Sequence, residues 1–406
     1  MSAVPELPSV RARYSILALV TGAQLGASVV QQGLGTLAPA ITQALGLSSA
    51  QFGWLVGAML FGSAIATALA GVAVDAYGER RMILISGIVI GFSLFLCSVT
   101  HTYWLLLGCL AITGLGYAAA TPAGGRAILL WFTHDRGLAM GIRQMGVPLG
   151  GFVGALLLPS LANAYGYGFA LAAGGVLALA TAGVAAQWYR VPEHHAALVP
   201  KRVRELLVSM VGIARDPRLM FVMVTGMVLI VGQSSMVAFF PLHLVRVGGV
   251  HVAVAGAAIA VAQIGASLGR LGWGALSDRI FHNDRVAPMM VACLLVSGSA
   301  LTVAFVPAHA ALIIFPLALV FGFAAAGWNG VHSAAQVEIG GPERAGSALG
   351  VALTGLFAAG VVAPPIFGKI VDVAGFQTAW LALAAFSLVG LIPAVFARRA
   401  IAAVRV

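Results

Sequence analysis

Arg126 and Arg143 lie inside strongly apolar stretches of the chain. A guanidinium within a bilayer costs about 2.5 to 3.5 kcal/mol on the insertion scale, so an arginine retained there is a functional candidate. The two stand almost symmetrically about a short polar turn. In an antiparallel helix pair they would share one depth, roughly 8 to 10 Å inside one membrane face at 1.5 Å per residue. Two cations at one level repel unless an anion sits between them. All 12 acidic residues fall in loops or at the ends of apolar segments. The countercharge is therefore expected from outside the chain, as a carboxylate or phosphate, either of which suits the planar fork of arginine.

Further polar side chains fall in stripes. Gln24, Ser28 and Gln31 are spaced i, i+4, i+7 and share one helix face; so do Asn329, His332 and Gln336, beside Trp328. Gln144 adjoins Arg143, and Gln233 and Gln263 occupy two other apolar stretches. Each alone suits helix-to-helix hydrogen bonding; as a set facing one cavity they suit a polar ligand. Two other chemistries compete. Met220, Met223 and Met227 share a face that could pass a soft ion, and Phe239, Phe240 and Trp273 could line a pocket for amphipathic compounds.

The chain has no glycine loop ending in Lys-Ser/Thr and no His-Glu-x-x-His, which argues against a nucleotide-driven pump and a metalloenzyme. Cys97, Cys109 and Cys293 are odd in number and far apart in sequence, a poor basis for a disulfide frame or thiolate metal site. His194 and His195 are adjacent in a polar stretch, where a surface role is expected. Neither enzymatic activity, a metal nor a cofactor is expected.

The elements that must position these residues follow from composition. Of 406 residues, 61% are hydrophobic and 8% charged, with 51 glycines and a mean hydropathy of +1.01. Soluble domains carry about 25% charged residues. This chain has too little polar surface to face water, so it is expected to be an integral membrane protein solvated by the lipid bilayer. Apolar runs place twelve helices near 14–38, 51–74, 82–100, 105–131, 137–161, 167–189, 219–244, 252–276, 287–307, 311–339, 345–367 and 376–397. The first is expected to be retained, since no cleavage pattern follows it.

A net charge of +10 raises the question of nucleic acid, but the positions of the 22 Lys and Arg residues answer it. Most, including Arg80, Arg81, Arg136, Arg279 and Arg344, fall in loops on the side of the termini. Only Arg246 and Lys369 fall in loops on the other. That asymmetry is the positive-inside rule, which predicts cytoplasmic termini and no nucleic-acid role. The expected domains are 1–189, a six-helix bundle; 190–218, a cytoplasmic linker with a short amphipathic helix over Lys201 to Val211; and 219–406, a second six-helix bundle.

The halves echo each other. Gly71-Val-Ala-Val-Asp75-Ala-Tyr-Gly78-Glu-Arg80-Arg81 follows the second helix, and Gly274-Ala-Leu-Ser-Asp278-Arg279 the eighth. Arg136-Gly-Leu-Ala-Met-Gly141 opens the fifth, and Arg344-Ala-Gly-Ser-Ala-Leu-Gly350 the eleventh. With Gly146-Val-Pro148-Leu-Gly150-Gly151 and Gly368-Lys-Ile-Val-Asp372, these motifs make the chain resemble the major facilitator superfamily along almost its whole length. Ala76 and Glu79 depart from the first motif, where basic residues are usual.

The resemblance implies an all-α membrane fold of twelve helices in two pseudo-symmetric bundles, in a cytoplasmic (inner) membrane, working by alternating access. It assigns gating to Gly71, Asp75, Arg80, Arg81, Arg270, Gly274, Asp278 and Arg279, and bending to the glycines and Pro148 of the fifth helix. The expected function is secondary active transport of a small organic anion; the alternatives are efflux of drug-like compounds or other metabolites, and a non-transporting sensor. The expected partners are the solute, a proton or counter-anion, and the bilayer, with the protein acting as a monomer. With no mid-membrane carboxylate, coupling falls to anion exchange, to a proton carried on the solute, or to His332.

Overall fold

The structure, a computed structural model, describes residues 10–132, 135–191, 215–307 and 311–403. The amphipathic helix expected near 201–211 and the His194–His195 pair lie outside these residues. Helix α1 runs Val10–Gly33, tightens into a 3-10 turn at Leu34–Leu37 and continues as Ala38–Leu45. Then come α2 (Ser49–Tyr77), α3 (Glu79–Ser98), α4 (Tyr103–Trp131), α5 (Arg136–Gln144, broken at Met145, then Gly146–Tyr165) and α6 (Tyr167–Trp188). The second half has α7 (Pro217–Arg246), α8 (Val252–Arg279) and α9 (Val286–Phe305). Helix α10 starts with Ala311–Gly327 and bends at Trp328.

A helical run over Asn329–Val389 is interrupted at Gly341 (φ 71°) and Gly375 (φ 82°). Glycine reaches such torsions without the strain a Cβ brings. The run therefore holds the end of α10, all of α11 (342–374) and the start of α12, which ends at Ala402. Among the described residues, eleven helices are long and apolar enough to cross a membrane, the last being Ala348–Ala402 with 55 residues. At 1.5 Å per residue that stretch would reach about 80 Å, against a hydrocarbon core of about 30 Å. Asp372 contacts Ser49 at one end of the molecule, and Arg398 pairs with Asp284 at the other. The chain thus doubles back at Gly375 and makes two crossings, for twelve in all.

The helix ends carry local signals. Ser48 accepts from the Gln51 amide at 3.2 Å while the Gln51 side chain accepts from the Ser48 amide at 2.9 Å, a capping box that starts α2. Large apolar side chains such as Phe92, Trp104 and Leu312 point outward, as lipid solvation requires. Within the first half α2 packs on α4, α3 on α6 and α1 on α5; in the second, α8 packs on α10.

Contact between the halves is tight at the end remote from the termini. A Cβ on Gly53 would lie 2.4 Å from the Pro364 carbonyl oxygen, one on Gly57 2.6 Å from that of Val361, and one on Gly368 2.3 Å from that of Ser49. The same holds between α1 and α7 at Gly35 and between α5 and α8 at Gly256. Asp372 adds a polar clasp, accepting from the Ser49 amide at 2.8 Å and the Ala50 amide at 2.9 Å. That places a carboxylate at the positive N-terminus of α2. These close backbone approaches between the halves lie toward the remote end, and the space between the halves on the side of the termini is the central gap.

Gly53→Val should force α2 and α11 apart, at about 1–3 kcal/mol for overpacking. Spin labels at Gln43→Cys and Ala374→Cys, one on each half, should move apart in that variant. An unchanged distance would show that the close packing does not hold this end shut.

Candidate functional site

Arg143 is 2% exposed yet has no carboxylate partner among the described residues. Its Nη1 donates to Gln24 Oε1 at 3.3 Å, and its Nε has no partner. Gly124 of α4 makes the room: a Cβ there would sit 3.2 Å from both Cδ and Nη1 of Arg143. Gln24 also donates to the Tyr117 hydroxyl at 3.3 Å and to Ser28 Oγ at 3.4 Å, and accepts weakly from Thr121 at 3.5 Å. Neutral groups of α1 and α4 thus hold the cation without cancelling its charge. Gln31 is half-buried nearby on α1, its Oε1 unpartnered.

The partner cation is not the one expected. Arg126 turns toward the termini end, donating to Asp75 Oδ1 at 2.7 Å and the Val74 carbonyl at 3.1 Å, with Nε 3.4 Å from Glu79 Oε2. Glu79 is buried at 3% exposure and accepts from the Tyr189 hydroxyl at 2.8 Å. The expected sharing of one anion by Arg126 and Arg143 therefore fails. Depth along a helix pair says nothing about which carboxylates a neighbouring hairpin supplies, and here the α2–α3 hairpin neutralises Arg126.

Arg270, expected at the gate, lies instead in the central gap, within electrostatic reach of Arg143 and of the Tyr117 hydroxyl. Its Nη1 donates to the Gln144 carbonyl at 3.2 Å, and its Nε is unpartnered. The cause is local to α5. Pro148 has no N–H to give to the carbonyl four residues earlier, so that of Gln144 is left free at the helix break. A cation from α8 takes it. Gln144 thus contributes its backbone.

The remaining expectations divide. Asn329 Nδ2 donates to Gln233 Oε1 at 3.3 Å, and both side chains are half-buried. Gln263 packs over Gly151 of the other half with Nε2 unpartnered. His332 and Gln336, by contrast, are enclosed between α10 and α7. A Cβ on Gly226 would meet His332 Nε2 at 2.5 Å, and Gln336 donates to the Leu219 carbonyl at 3.2 Å. Trp328 is fully buried edge-on to His332. The stripe expected to face one cavity is thus split: Asn329 reaches the half-buried Gln233, while His332 and Gln336 are packed against the earlier turns of α7.

Phe240 borders a small crevice with His243, Val303 and Leu317, while Phe239 and Trp273 are taken up in packing. Phe239 stacks on Phe367, Phe240 meets Trp380 edge-on, and Trp273 donates to the Phe323 carbonyl at 3.0 Å. Met223 packs on Gly355, and no cluster of metal-ligating groups occurs among the described residues. Cys97 and Cys109, distant in sequence, come within hydrogen-bond reach, both as free thiols. Of the expected gate, Arg80 donates to the Ala186 carbonyl at 2.5 Å, while Arg81 and Arg279 are exposed. In this state Asp75 accepts from Arg126 rather than from a helix N-terminus. Asp278 pairs with Arg285, which also binds Glu338 at 2.9 Å.

Sequence reasoning missed Tyr117 and Thr121. Tyr117, Thr121 and Gly124 repeat the i, i+4, i+7 spacing already seen for Gln24, Ser28 and Gln31, and that was the available signal.

Comparison with known proteins agrees with this architecture. The sequence profile of the Major Facilitator Superfamily matches residues 20–339. The agnestins efflux protein of Paecilomyces divaricatus is 26% identical over 86% of this chain and 77% of its own length. A probable sulfoacetate transporter of Cupriavidus necator is 24% identical over 90% of this chain and 89% of its own. Among solved structures, a bacterial homologue of the human lysosomal transporter Spinster, inward-facing and occupied, superposes with a TM-score of 0.81 at 17% identity, covering 97% of this chain and 98% of that one.

Glu79→Ala should leave the Tyr189 hydroxyl and an edge of Arg126 unpaired in a buried place, at about 1–3 kcal/mol. Asp75→Asn keeps a hydrogen-bonding oxygen at a more exposed site and should cost less. Thermal midpoints of the two purified variants compare these, and equal losses would contradict the ranking.

Proposed function

The chain belongs to the Major Facilitator Superfamily, and we propose that it is a secondary carrier of a small organic anion, working by alternating access in a cytoplasmic membrane with both termini inside. One observation carries the reading: Arg143 is buried at the central gap with an unpartnered Nε and, among the described residues, no carboxylate beside it. A buried cation without a countercharge costs several kcal/mol, and a solute carboxylate arriving with two oxygens supplies both charge and acceptors. The sulfoacetate carrier among the relatives is consistent with such cargo, while the agnestins exporter leaves direction open. The aromatics expected to form a drug site are consumed in packing, which favours the anion.

In this reading Arg143, Gln24, Gln31, Gln144, Gln233, Gln263, Asn329 and Arg270 face the solute path. Arg126 supports the gate with Asp75, while His332 and Trp328 brace α10 against α7. The halves rock about the glycine contacts of α2 with α11 and α5 with α8, and the present arrangement is open to the cytoplasm. Coupling rests on the solute's own charge or an exchanged anion. A proton on His332 would need an opening that its enclosure denies.

Arg143→Ala should weaken solute binding by about 3 kcal/mol, roughly a hundredfold, and Arg143→Lys by less. Gly124→Val should have a similar effect by crowding the guanidinium, while Gly125→Ala, whose added methyl meets only Met140 at 3.6 Å, should be silent. Counterflow of candidate carboxylates in liposomes measures this. Unchanged affinity in both Arg143 variants would remove the residue from the site.

A further inference from the structure

Resting on the carrier reading, we infer that the solute is a dianion whose two charges are divided between Arg143 of the first half and Arg270 of the second. The two guanidiniums come from opposite halves to neighbouring places: Arg270 donates to the carbonyl of Gln144, the residue next to Arg143, and both lie within electrostatic reach of the Tyr117 hydroxyl that Gln24 holds. Neither forms an ion pair with a carboxylate among the described residues. What holds them is neutral: an amide oxygen of Gln24 for Arg143, the orphaned Gln144 carbonyl for Arg270. Each keeps an unpartnered Nε, so each has donor capacity left for a ligand.

The charge count then selects the cargo. The empty site carries two positive charges, which repel when the halves close on the gap. A monoanion leaves one of them uncompensated in a low-dielectric enclosure, where a lone charge is expensive. A dianion leaves none, and it does so only by touching both halves at once. The loaded carrier can close without net charge at its centre, and closing is coupled to both ends of the solute being held. Short dicarboxylates and carboxylate-sulfonates have this chemistry; acetate, propionate and benzoate do not.

The full-length protein, purified and titrated by calorimetry at neutral pH, tests the division of charge, with malonate, succinate and sulfoacetate as dianions and acetate, propionate and benzoate as monoanions. At least one dianion should bind roughly thirtyfold or more tightly than any monoanion, as expected when a second buried charge pair forms. Arg270→Gln should erase that advantage, bringing every dianion to within about threefold of the monoanions on the same variant, because only Arg143 remains to pair. Arg270→Lys, which keeps the charge, should preserve most of the preference and guards against a folding defect. Monoanions binding as tightly as dianions, or a preference that survives Arg270→Gln, would overturn the inference and leave the anion carrier standing. Failure of every anion to bind the unaltered protein would overturn both.

Discussion

The structure depends on a cation that no carboxylate among the described residues neutralises. Arg143 is enclosed by α1, α4 and α5, held by an amide oxygen and left with a free donor edge. Every other feature of the gap can be understood as making that tolerable. Gly124 provides space, Gln24 orients the guanidinium, and Tyr117 and Thr121 hold Gln24. The cost of an unpaired charge in a low-dielectric site is stored in the empty protein and relieved when cargo arrives, which is how a binding site can drive a conformational change.

Carboxylates are placed so as not to interfere. At the termini end Asp75 and Glu79 neutralise Arg126 in the first half, and Asp278 and Glu338 neutralise Arg285 in the second. The two clusters are related by the internal repeat but with polarity exchanged. The hairpin start carries Glu79 in one half and Arg285 in the other, while α4 carries the cation Arg126 and α10 the anion Glu338. At the opposite end Asp372 caps α2 across the interface. Charges thus tie helix ends together within each half, Asp372 clasps the halves at the remote end, and Arg270 reaches across to the Gln144 carbonyl. Glycines let backbones touch at the remote end, so packing and electrostatics select one closed end.

Much of this was legible in the chain itself. Twelve apolar runs, the repeated Gly71–Arg81 and Gly274–Arg279 motifs and the sidedness of basic residues point to the fold without coordinates, since a bilayer imposes length and composition on every crossing. Arg143 and Gln24 were also recoverable, because charge inside an apolar run and a polar helix face are signals carried by single segments. The reading went wrong where the answer depended on a second segment. Arg126 looked equivalent to Arg143 until the α2–α3 hairpin supplied its carboxylates. Arg270 looked like part of a gate until α8 was seen crossing α5 at a carbonyl freed by Pro148.

Sequence alone therefore determined the solvent, the number of crossings and the repeat, because these follow from local hydrophobicity, spacing and the energetic penalty on every exposed backbone group in lipid. Tertiary structure decided which cations are paired and which wait, which polar face is a site and which is a seam, and which end of the gap is shut. Those are properties of atoms brought together from distant parts of the chain, and electrostatic energy depends on that separation in space.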